Sequence, residues 1–252
     1  MMPKSIRIII FLCLVGCTVS GEIPDNFKYT EIQTPEFDFA SWQKITDTNT
    51  GYKVYIEGDG FAFNAQGIPT DDPTPRSTFV RQMSFTDPHP NVIYLARACQ
   101  FIQNKKCAQK YWTTARFASE IIDAQADALK QIIGSKSVVF VGFSGGAQIA
   151  GLIAVRHPEI NVRKIITIAG NLNHPMWTAY HHVLPLSESL DLNEYKTEFL
   201  KFSQIHYVGA SDEVMPPLLN QKFVAGKADV IEVKGANHNN GWDMIVPKIQ
   251  AE

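Results

Sequence analysis

Long runs of one charge sign, Cys-x-x-Cys pairs and apolar stretches of bilayer-spanning length are all missing from this chain of 252 residues. Without a basic stripe, and with a formal net charge of -2, it has no surface suited to neutralising a phosphate backbone, which argues against nucleic acid as a partner. Without Cys-x-x-Cys, and with His181 and His182 adjacent so that they point apart in any regular element, no metal site is expected. No G-x-x-x-x-G-K-[ST] occurs, and Ser144 stands where a dinucleotide fingerprint needs glycine, so no cofactor is implied. Internal repeats and low-complexity tracts are absent too. What is present, 45% hydrophobic and 19% charged, is the composition of one ordinary globular domain with a sizeable core.

The first residues stand apart from that domain. Lys4 and Arg7 stand at the start of a largely apolar run over residues 6–15, too short to span a bilayer as a helix but of the right length for a secretory signal. Next comes Leu14-Val15-Gly16-Cys17, which resembles the lipobox of bacterial lipoproteins, whose cysteine is lipidated and becomes the new N-terminus. The resemblance implies a leader over 1–16 that is removed, a lipid on Cys17, and a tether over 17–28. It makes the membrane a partner through that anchor and puts the protein at the bacterial cell envelope. Thr18 is not the aspartate of inner-membrane retention, which points to the outer membrane, facing the periplasm. Several acyl chains matter here, since one gives only marginal binding. Cys13 goes with the leader, so of four cysteines only Cys99 and Cys107 remain, and an oxidising compartment favours a disulfide between them, closing a small surface loop. Two unrelated buried thiols are the alternative.

From residue 29 onward short β-rich runs alternate with helical patterns, which predicts an α/β fold with a mostly parallel sheet covered on both faces. Residues 29–33 and 37–45 read as opening antiparallel strands, and 52–57, 91–96, 137–141, 164–169, 204–208 and 229–233 as further strands. Apolar residues at 117, 121, 129 and 132 predict a helix over 115–133, ended by Gly134. Helices are also predicted over 147–156 and 242–249. Two long irregular stretches, 58–90 and 170–202, need a reason to exist and are candidates for substrate-binding excursions.

The run Val138-Val139-Phe140-Val141 has the unbroken apolar character of a central strand, and Gly142-Phe143-Ser144-Gly145-Gly146 follows it directly. A serine held on a sharp strand-to-helix turn needs small neighbours, and G-x-S-x-G provides them. Such a hydroxyl becomes a useful nucleophile when a base takes its proton, and a neutral imidazole suits that role near neutral pH.

Here the chain resembles the α/β-hydrolase superfamily, over nearly all of its length beyond the tether. The family order is nucleophile, acid, base. Gly209-Ala210-Ser211-Asp212-Glu213-Val214-Met215-Pro216 looks like its acid loop and Gly235-Ala236-Asn237-His238 like its base loop. The resemblance implies an α/β-hydrolase domain over 29–252 with a small cap-like insertion at about 171–203. It further implies Ser144 as nucleophile, Asp212 as acid and His238 as base; Glu213 and Asp191 remain alternative acids. The Gly145 N–H is one expected oxyanion donor, and the second comes from Asp59, Gly60 or Phe61, in a loop where Glu57 replaces the family's usual histidine. In the insertion, Trp177, Tyr180, Leu184 and Leu186 are candidates to line an apolar surface. The expected partner is a small-molecule acyl substrate, the expected state a monomer, and the expected activity that of a serine hydrolase acting on carboxylic esters. A lipid-anchored binding protein that keeps the fold without turnover is the competing reading.

Overall fold

The computed structural model describes residues 23–252, so the leader and Cys17 lie outside the described residues. In chain order the elements are β1 (Lys28–Gln33), β2 (Asp38–Ile45), β3 (Tyr52–Ile56), α1 (Phe79–Phe85), β4 (Asn91–Leu95), α2 (Ser119–Ile133), β5 (Val138–Phe143) and α3 (Gly145–Arg156). They continue with β6 (Val162–Ile168), α4 (His174–Tyr180), α5 (Lys196–Phe199), β7 (Gln204–Gly209), α6 (Pro217–Val224), β8 (Asp229–Val233) and α7 (Val246–Gln250).

The strands form one eight-stranded sheet in the order β1-β2-β4-β3-β5-β6-β7-β8. The β1–β2 and β2–β4 pairs are antiparallel and all others parallel. Parallel neighbours need crossover connections, which is why most later strands are separated by helices. Strand period sorts the core into two layers. Val54, Ile56, Ile93, Leu95, Phe140 and Ile165 face α2 and α3, while Tyr55, Val92, Tyr94, Val141 and Ile166 face α1 and α7. Helix α3 is buried from Gly145 to Ala154, so it is apolar all round rather than on one stripe.

Several expectations shift. The helix expected from 115 begins at Ser119, because Ala118 is extended, and Phe117 packs into the core from outside it. The 58–90 stretch contains α1. The helix expected from 242 is confined to Val246–Gln250: Pro247 is tolerated only in a first turn, and Trp242 is buried ahead of it. The 170–202 stretch carries α4, whose N-cap Asn173 side chain accepts from the Met176 N–H at 2.8 Å, and α5; its Leu186, Leu192 and Phe199 sink into the core. Cys99 and Cys107 form a disulfide with Cα atoms 5.6 Å apart, within the usual range. Cys99 itself is buried in the core, so the bridge pins a loop from below rather than lying wholly on the surface.

Candidate active site

Ser144 sits between the end of β5 and the start of α3 with φ 49° and ψ −119°, a left-handed conformation that costs a non-glycine residue about 1–3 kcal/mol. The flanking glycines are demanded by space. A Cβ on Gly142 would lie 2.7 Å from the Ala147 backbone, and one on Gly146 would lie 2.3 Å from the Ile56 carbonyl oxygen. The motif is therefore the set of residues that lets α3 start hard against the ends of β3 and β5.

The loops after β7 and β8 bring the other two predicted residues to this turn. His238 Nε2 lies 3.1 Å from Ser144 Oγ, and His238 Nδ1 lies 2.9 Å from Asp212 Oδ2. An ionised carboxylate only accepts, so the ring proton belongs on Nδ1 and Nε2 is left to accept from the hydroxyl. The second Asp212 oxygen accepts the Val214 and Met215 N–H groups at 2.9 and 2.7 Å, fixing a side chain with no solvent exposure. The alternative acids are elsewhere: Glu213 is exposed, and Asp191 caps the turn at Leu192 by accepting from the Asn193 N–H.

Other histidines have structural partners. His206 is buried against Thr167 and Gln204, and burial pushes its ring down to about 4. His157 meets Asp123 and Glu159. His181 joins Trp177 in donating to the Val214 carbonyl, at 2.9 and 2.8 Å, which ties α4 to the Asp212 loop.

The loop after β3 lies against the serine turn: a Cβ on Gly58 would be 3.2 Å from Ser144 Cβ. Phe61, one of the expected oxyanion donors, is corrected here, because its N–H is spent on the Pro73 carbonyl at 2.9 Å. Among the described residues the N–H groups of Asp59 and Gly60 have no protein acceptor, and Gly145 N–H sits at the start of α3.

Glu57, in place of the histidine, is buried; Tyr94 Oη donates to it at 2.7 Å and Gly58 N–H at 2.9 Å. Burial pushes its carboxyl up, against those hydrogen bonds and the charges of Arg81 and Arg97. Asp59 is gripped by Arg97 and Arg116 together. Burial alone would raise the Asp59 carboxyl, but the two guanidinium groups outweigh it and hold it down to about 2. Gln100 completes the brace by donating to the Gly58 carbonyl at 2.9 Å. Sequence reasoning missed Arg97, Gln100 and Arg116, which carry no spacing signal.

Ser144 and His238 open into a cavity of about 720 Å³ walled by Phe61, Phe63, Arg76, Phe143 and Trp177. Trp177 thus lines the site as expected, while Leu184 and Leu186 line a neighbouring cavity and Tyr180 neither. The Phe143 ring lies 5.3 Å from the His238 ring and is backed by Phe79 of α1 at 5.7 Å.

No family sequence model matches the chain, and no curated protein matches it in sequence. Solved structures do match in shape. A serine hydrolase from the polyaromatic-hydrocarbon-degrading bacterium Cycloclasticus zankles aligns at a TM-score of 0.61 and 13% identity over 89% of this chain and 94% of its own. An esterase from Pyrococcus furiosus aligns at 0.61 and 16% over 89% and 87%. The esterase domain of a Rhodothermus marinus protein aligns at 0.62 and 11% over 89% and 96%. The chain has the α/β-hydrolase fold. Within this α/β-hydrolase scaffold, Ser144 lies after a central strand, and Asp212 and His238 lie on loops at the carboxyl ends of β7 and β8, on the same sheet edge. That edge is where open α/β sheets gather ligands.

Proposed function

We propose that this protein is a serine hydrolase that works by acyl transfer, most readily on carboxylic esters. The observation that carries the reading is the pair of contacts from His238, 3.1 Å to Ser144 Oγ and 2.9 Å to Asp212, at a strained turn that opens into a cavity. His238 takes the hydroxyl proton as Ser144 Oγ attacks the scissile carbonyl, and Asp212 stabilises the imidazolium that results. Negative charge collects on the carbonyl oxygen, where Gly145 N–H and Asp59 or Gly60 N–H receive it. Asp59 is favoured as the second donor, since it directly follows the glycine in contact with Ser144. His238 then protonates the leaving alcohol, and water attacks the acyl-enzyme by the reverse sequence. Esters are favoured over peptides because the sequence carries no specific feature for recognising a peptide.

The test is covalent labelling by a serine-directed fluorophosphonate together with turnover of simple esters. Label is expected on wild type and absent from Ser144→Ala. Ser144→Ala and His238→Ala should each lower kcat by on the order of 10⁴-fold or more, because the three groups act as a unit. Activity within a few fold of wild type in either variant removes the mechanism and leaves a binding protein on a hydrolase fold.

We also propose that Cys17 carries lipid and anchors the domain at the bacterial envelope, in the outer membrane facing the periplasm; the lipobox-like residues 14–17 support this. Cys17→Ser should release the protein from sedimented membranes, and continued sedimentation rejects the anchor.

A further inference from the structure

Beside the triad cavity lies a second cavity of about 780 Å³ whose lining includes Phe63, Pro69, Trp177, Val183, Leu184 and Leu186. The two cavities share Phe63, Arg116 and Trp177, so they lie side by side with these residues between them. We propose that the substrate carries one long unbranched apolar arm, which leaves Ser144 between Phe63 and Trp177 and lies in this second cavity. The assignment deepens the serine-hydrolase reading above and rests on it for the bond that is cleaved.

Two observations support an apolar occupant. Leu184 is 84% exposed, Val183 48% and Phe63 38%, and all three border the same cavity. Singly exposed apolar residues are ordinary, but a contiguous group beside the cavity that holds a candidate catalytic serine marks a binding surface. Apart from the exposed His182, the polar side chains around it are also already engaged. Thr114 donates to Glu188, Thr113 to the Gln109 carbonyl, and Arg116 to Asp59 and the Thr113 carbonyl. Apart from Arg116, which both cavities share, the charged lining groups lie on the triad side, at Glu57, Asp59 and Arg76. Either cavity alone lies within the roughly 300–1,000 Å³ that holds a drug-sized ligand, so the pair exceeds what a short-chain ester fills.

The experiment compares kcat/KM for straight-chain esters below their micellar concentration in two series. One lengthens the acyl chain on a common 4-nitrophenol, from four carbons to ten; the other lengthens the alcohol on a common acetate. Burial gives about threefold to fourfold per methylene, so six methylenes should raise kcat/KM at least ~100-fold in one series. The series that rises tells whether the arm is acyl or alcohol, and flat profiles in both overturn the proposal. Leu184→Asp, at an exposed position that endangers folding little, should cut the ten-to-four-carbon ratio at least fivefold; an unchanged ratio also overturns it. Binding is read separately in Ser144→Ala by tryptophan fluorescence, Trp177 being part of the shared wall. Saturable binding of the ten-carbon ester and none of the four-carbon ester is expected. If wild type turns over neither ester while this difference persists, the arm site stands and the catalytic reading falls. Equal affinity for both esters removes the arm site.

Discussion

At position 59 a carboxylate lies between two guanidinium groups whose side chains are only 5% and 7% exposed, on the loop that touches the candidate nucleophile. Removing one member of such a set leaves buried charge without compensation, at about 3–5 kcal/mol. Asp59→Asn keeps the shape and the backbone N–H but abandons Arg97 and Arg116, so it should destabilise the protein at pH 7 by about 3 kcal/mol. The pH dependence follows from the direction of the shift. A carboxyl lowered from 3.8 to about 2 on folding contributes about 2 kcal/mol of stability that is complete above pH 4 and is lost as pH falls toward 2. Urea unfolding of wild type and Asp59→Asn at pH 7, 4 and 3 should therefore show a gap that narrows only in the last interval. A gap that stays constant down to pH 3 would show that the pairing does not depend on the Asp59 charge.

One short segment after β4 supplies both braces of that loop: Arg97 grips the Asp59 carboxylate and Gln100 holds the Gly58 carbonyl, with the disulfide from Cys99 to Cys107 closing the same segment. A bridge across so short a loop, eight residues in sequence separation, restricts the unfolded chain by about 2–3 kcal/mol. The Cys99→Ala/Cys107→Ala variant should lose roughly 5–10 °C in Tm. It should also lower kcat for a short ester more than it raises KM, because the segment braces the loop of the proposed oxyanion donor and lines neither cavity. A fall confined to Tm would separate the bridge from the site. This coupling is invisible in the sequence, where Arg97, Gln100 and Arg116 belong to no motif, and Arg97 and Gln100 reach the loop at 58–59 because β3 and β4 are neighbours in the sheet. By contrast β5 and the serine turn were fully legible, since a strand buried on both faces leaves an unbroken apolar run and a strained turn leaves its glycines. The acid and base loops were legible only through family resemblance. Helix α1 was not legible at all: it has seven residues, no side-chain N-cap and no acidic first turn, and it lies in a stretch rich in proline, glycine and aspartate. Its Phe79 nonetheless backs the ring that packs on His238.

Among the described residues the side-chain hydrogen bond that reaches farthest along the sequence is made by Lys53. From the second position of β3 its Nζ donates to the Ile249 and Gln250 carbonyls of α7, at 3.2 and 2.9 Å, and pairs with Asp87 at 3.1 Å, both side chains being almost wholly buried. Tyr55 Oη donates to the same carboxylate at 2.6 Å, and Lys44 to the Asp87 carbonyl, so β2, β3, the loop after α1 and the C-terminal helix meet at one polar node. The node closes the layer opposite α2 and α3, and it anchors the helix that follows the His238 loop and the buried Trp242. A node of this kind is weak evidence for net stability, because two ions are desolvated to form it, yet breaking it from one side is costly. Lys53→Met, close in volume, should cost about 3–5 kcal/mol by stranding Asp87, and Asp87→Leu a similar amount by stranding Lys53. The double variant strands neither charge, so its loss should fall well short of the sum, with a coupling of about 1–3 kcal/mol in a double-mutant cycle from urea unfolding. Simple additivity of the two losses would mean that Lys53 holds α7 through its carbonyls alone and that the ion pair with Asp87 contributes nothing to closing the fold.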